Sequence, residues 1–130
     1  MIALIRAMFA TPEAQADPYV WAAALMGHWA IGAGLTALIM AIWIIREAWN
    51  AVAVLSMAYL VGWEGGQLIT AAGPQRRLSW ALVWDGILDW SAVTLGAITA
   101  AALWHRRRRL IAAAVAATAV ILTAGVGRRK

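Results

Sequence analysis

Apolar residues in this chain do not alternate with polar ones at strand or helix spacing. They run almost unbroken for about 20 residues at a time, the length a helix needs to cross a hydrocarbon core. Short polar segments punctuate the runs and predict spanning helices over residues 20–45, 48–72 and 79–104, with a further span over 110–126 that lies at the lower edge of crossing length. The stretch 1–19 reads differently. Its apolar piece MIALIRAMFA is too short to span, and Pro12 and Pro18 break the polar piece that follows, so residues 1–19 are expected to lie at the interface ahead of a single transmembrane domain, 20–130.

Composition agrees with an all-α, polytopic transmembrane helix bundle. Hydrophobic residues make up 64% of the 130 and charged residues only 13%, with a mean hydropathy of +0.74, more apolar surface than a soluble chain of this size could bury. The absence of cysteine excludes disulfides, thiolate catalysis and Cys-ligated zinc. The net charge of +5 does not point to nucleic acid, because the basic residues gather at the ends of the apolar runs, where they anchor helices against head groups. The densest group, His105 followed by Arg106 to Arg109, marks the cytoplasmic side in this reading and leaves the N-terminus on the other. The expected partner is therefore the lipid bilayer, with self-association open.

Three of the six acidic residues, Glu64, Asp85 and Asp89, fall inside the apolar runs. Each carboxylate at such depth costs at least roughly 2.5–3.5 kcal/mol, which marks a site that needs them. At about 1.5 Å per residue, His28 lies roughly 12 Å from the start of the first span and Glu64 roughly 12 Å from the end of the second. Asp85 and Asp89 lie roughly 9 and 15 Å from the start of the third. Because the second span runs against the other two, all four side chains reach one leaflet, with Arg76 and Arg77 in the loop above. Asp85 and Asp89 are four apart and Glu64 and Gln67 three apart, so each pair shares a helix face. A polar pocket between the three helices would keep these groups out of lipid.

The pocket predicted here comprises His28, Glu64, Gln67, Arg76, Arg77, Asp85 and Asp89. Glu64 and Asp85 are the candidates for acid, base or ligand, and Arg77 for an anion clamp. Carboxylates with one histidine could also hold a divalent cation, although no established metal-binding spacing is present. Against this, Asp85 could snorkel to the interface, Glu64 could pair structurally with Arg77 or His28, and the tryptophans serve first as interface anchors.

Taken in order, Gly27-His28, Glu64-x-x-Gln67, Arg77, Ser79, Asp85-x-x-x-Asp89 and Gly96 resemble the pattern of the VanZ-like membrane proteins over about half the chain, residues 27–96. Ala24 and Leu25 stand where that family commonly has Asp and Lys, and Asp89 where it has Asn. The resemblance implies a small protein of the cell envelope, in the bacterial inner membrane, acting near lipid-linked substrates or their head groups. Enzymatic action is the minority reading. The alternatives are a phage-type, holin-like pore whose acids line a wet path, and a non-catalytic structural subunit whose acids pair internally.

Overall fold

The structure is a computed structural model that describes residues 17–42, 45–71 and 80–129. The interfacial segment expected before the first span falls outside these residues up to position 16, as do Arg76, Arg77 and Ser79. Among the described residues all regular structure is helical: α1 (Pro18–Ala41), α2 (Ala48–Ala58), a π-helical stretch (Tyr59–Glu64), α3 (Gly65–Ala71), α4 (Trp80–Trp104) and α5 (Arg108–Arg129). Since α2, the π stretch and α3 run on as one rod, four helices among the described residues are long and apolar enough to cross a membrane.

Pro18 opens α1 rather than closing the segment before it. Its fixed φ suits the first helical position, and the Asp17 carboxylate accepts from the amides of Tyr19 and Val20 at 2.8 and 2.9 Å, satisfying two donors at the helix start. The first span ends at Ala41, short of the residue 45 expected from the apolar run, because unbroken apolarity carries no stop signal. The last span is longer than expected. It gains Arg108 and Arg109 at one end and Gly127 to Arg129 at the other, and its 22 residues suffice to cross.

Only His105 to Arg107 separate α4 from α5. The turn closes with the Arg107 amide donating to the Ala102 carbonyl at 2.8 Å and the Arg106 amide to that of Leu103 at 3.0 Å, the paired bonds of a Schellman cap. Such a cap requires a left-handed residue, and Arg106 adopts it with φ of 53°. An L-residue with a Cβ pays about 1 kcal/mol for that conformation. Arg106→Gly is therefore expected to stabilise the protein by about 1 kcal/mol in a denaturant titration. A loss of stability would mean that the arginine side chain contributes more than its backbone costs.

Helix α4 is the axis of the bundle, packing against α1, α2, the π stretch and α5. Lipid tails are as apolar as leucine, so close approach rather than water exclusion must hold such helices together. Glycine supplies it. A Cβ on Gly32 would overlap the Val93 carbonyl, and one on Gly96 would overlap that of Trp29, so α1 and α4 cross backbone to backbone. Two small cores flank the crossing: Met40, Ala48, Ala51, Val52, Ala97 and Ala101 toward one end, and Trp21, Leu25 and Ala92 toward the other. Between α2 and α4, Ser56 Oγ and Thr94 Oγ1 lie 2.8 Å apart, and Trp90 Nε1 donates to Ser56 Oγ at 2.9 Å. Exposed Ile31, Leu35, Leu38, Val54 and Val120 lie on the outside. They suit a lipid-facing surface.

Candidate functional site

The site begins with a defect in a helix. Tyr59–Glu64 is wound as a π-helix, which takes an extra residue into the turn and shifts the phase of everything after it. Gly62, Gly65 and Gly66 fall in and beside this stretch, where the chain is easiest to unwind. The consequence is specific to one side chain: Val61 and Gly62 face outward, whereas Glu64 turns into the bundle and is only 4% exposed.

Glu64 comes to rest on α4 at a residue with no side chain. A Cβ built on Gly86 would lie 2.6 Å from Glu64 Oε2, so the glycine is the notch that accepts the carboxylate. Asp85 and Asp89 flank that notch on the same helix and are themselves buried. On α1, His28 reaches the group from the opposite side. Its Nδ1 lies 3.2 Å from Asp89 Oδ1, an ion-pair distance without hydrogen-bond alignment. The fields of Asp89, Glu64 and Asp85 all act on this imidazole. The Tyr59 ring stands edge-on to His28, centroids 5.9 Å apart, and stacks on Trp63.

Helices α1, α4 and the π stretch thus bring together four of the residues expected to meet: His28, Glu64, Asp85 and Asp89. Gln67 follows one turn beyond Glu64 on α3 and is half-buried. Arg76 and Arg77 lie outside the described residues, so their expected place above the pocket is not among the observed geometry.

A cation arrives instead from α5. The Arg129 guanidinium lies with Nη2 3.8 Å from Asp85 Oδ1, and its Cζ sits 4.2 Å from the centre of the Trp21 ring. Gly125 makes this possible, because a Cβ there would overlap the Trp21 ring. Sequence reasoning missed Arg129 by ending the last span at residue 126 and treating the tail as a surface anchor. The available signal was length: a helix carried through to Arg129 ends in the leaflet that holds Asp85.

The Tyr59 hydroxyl faces the Glu64 carboxylate and the Trp21 indole N–H faces that of Asp85, although neither pair closes a well-aligned hydrogen bond. Among the described residues, no three His, Asp or Glu side chains are arranged to hold a metal ion. The arrangement is an acidic, aromatic-flanked cluster with one guanidinium and one imidazole. Comparison of the chain with protein-family models, with curated proteins and with solved structures finds no match.

Proposed function

We propose that this is a small integral membrane protein whose intramembrane carboxylate and histidine site binds the cationic part of a polar ligand, an ammonium-bearing head group or a small cation. One observation carries the reading. Among the described residues Asp85 pairs with Arg129 and Asp89 with His28, and neither cation lies within ion-pair distance of the third buried carboxylate, Glu64. With all three carboxylates ionised and His28 protonated, one negative charge is in surplus among the described residues. An uncompensated charge at membrane depth costs several kcal/mol, and a bound cation removes that cost. The Tyr59 ring beside Glu64 suits an organic ammonium, which is attracted to a ring face as well as to the acid.

The order Gly27-His28, Glu64-x-x-Gln67, Asp85-x-x-x-Asp89 and Gly96 supports placing the chain with VanZ-like proteins of the cell envelope, in the bacterial inner membrane. Glu64 and Asp85 act in this reading as ligand groups, with no bond made or broken. A holin-like path would need acids lining a route through the membrane, whereas here they face one another inside one chain.

The test uses octylammonium, a cation carried on an apolar chain, and uncharged octanol as its control, added to the detergent-purified protein. Octylammonium should raise the melting temperature saturably and octanol should not. Glu64→Gln should weaken octylammonium by about tenfold or more, a loss of about 1.4 kcal/mol. Arg77→Gln should leave it unchanged. Equal action of octanol, or full response in Glu64→Gln, would overturn the reading. A gain of affinity in Arg77→Gln would do the same by identifying the loop as the source of the missing cation.

A further inference from the structure

A cleft of about 230 Å³ opens between α4 and α5, lined at one end by Asp85, Arg128 and Arg129 and along its walls by Leu88, Val120 and Ile121. Charge and depth are matched to one kind of molecule. From Arg129 to Val120 is nine residues of helix, roughly 13 Å along the axis, so the cleft runs from head-group level into the acyl region. Its polar end carries two guanidinium groups and one carboxylate, a surplus of one positive charge, and its remaining length is apolar.

The two arginines differ in what they do. Arg129 is held in place: its Nη1 donates to the Gly125 carbonyl at 3.3 Å, its face covers Trp21, and Asp85 lies opposite. Arg128, on the next residue, is exposed at the rim. One guanidinium is thus preorganised and offset by Asp85, while the other brings the net charge to the mouth of an apolar channel. A phosphate group accepts well from arginine, and a lipid chain fills an apolar wall without needing polar partners.

We propose that this cleft is a lateral binding site for a membrane lipid, its phosphate held at Arg128 and Arg129 and its acyl chain laid along Leu88, Val120 and Ile121. The site is separate from the acid pocket, touching it only through Asp85, and does not require that a cation bind at Glu64. It would bring the head group of that lipid to the edge of the pocket.

Native mass spectrometry of the detergent-purified chain with dioleoyl phosphatidic acid, dioleoylglycerol and inorganic phosphate tests this directly. One equivalent of phosphatidic acid should be retained, with dioleoylglycerol about tenfold weaker and inorganic phosphate not retained. Arg128→Ala, at an exposed position, should weaken phosphatidic acid about fivefold or more, and Ala124→Trp, which fills the cleft, should do likewise. Glu64→Gln should leave lipid binding unchanged, so that this proposal and the cation reading fail independently. Equal retention of dioleoylglycerol would reduce the cleft to an apolar groove, and tight retention of inorganic phosphate would make it a simple anion site. Binding indifferent to both variants would move the lipid elsewhere, for instance to Arg106–Arg109. Any of these results overturns the proposal.

Discussion

Alanine at Gly96 is expected to cost the protein about 3 kcal/mol, the upper end of what an inserted methyl group costs in a packed interior. The added Cβ would overlap the Trp29 carbonyl oxygen and lie 2.9 Å from that carbonyl carbon and 3.0 Å from the Ala33 nitrogen. All three are backbone atoms of α1, so no rotamer change can relieve the overlap. The helices must separate instead. Gly32→Ala meets the Val93 backbone in the same way, with its carbonyl carbon at 2.7 Å. Both glycines belong to one crossing, so the first substitution opens the gap that the second needs. The double variant is therefore expected to lose clearly less than the sum of the two single losses, a coupling of about 1 kcal/mol or more. Unfolding in a denaturing detergent reads all three values. Additive losses would mean that the two contacts break independently.

Removing a buried acid and removing a half-buried base are expected to move stability in opposite directions. The pocket holds more negative than positive charge among its described residues, so Glu64→Gln relieves repulsion and burial cost. It should raise the unliganded melting temperature or leave it unchanged. Arg129→Gln strips Asp85 of its nearest cation and Trp21 of its guanidinium cover, and His28→Ala does the same to Asp89. Leaving a buried charged group unpaired costs on the order of 1–3 kcal/mol or more. A second substitution should restore the balance: Asp85→Asn is expected to recover most of the loss in Arg129→Gln, as is Asp89→Asn in His28→Ala. If all single variants destabilise equally, the residues are merely packed together and the charge surplus has no energetic weight.

The spans were legible in the sequence because unbroken apolar runs need no partner to interpret, and depth together with helix-face spacing predicted that His28, Glu64, Asp85 and Asp89 would meet. What stayed hidden depends on contacts rather than on composition. Nothing in the order of residues says that Gly32 and Gly96, among 11 glycines, are the ones that cross. The π-helical turn is likewise invisible to a reading at 3.6 residues per turn. It rotates Glu64 toward Gly86, a glycine that had no assigned role. Arg129 was overlooked because basic tails are ordinarily read as anchors. Arg106 in a left-handed cap contradicts the usual preference for glycine there, and only the hydrogen bonds of the turn reveal it.

A shared site requires Glu64 of one span to lie against Gly86 of another. The chain contains no cysteine, so the pair Glu64→Cys and Gly86→Cys can be introduced without background. Oxidation with copper phenanthroline, or bridging with a short thiol-specific reagent, should link the two positions within one chain, while a pair at lipid-facing Val61 and Ile87 should not link. Absence of the first link, or its appearance only between separate chains, would contradict a shared pocket.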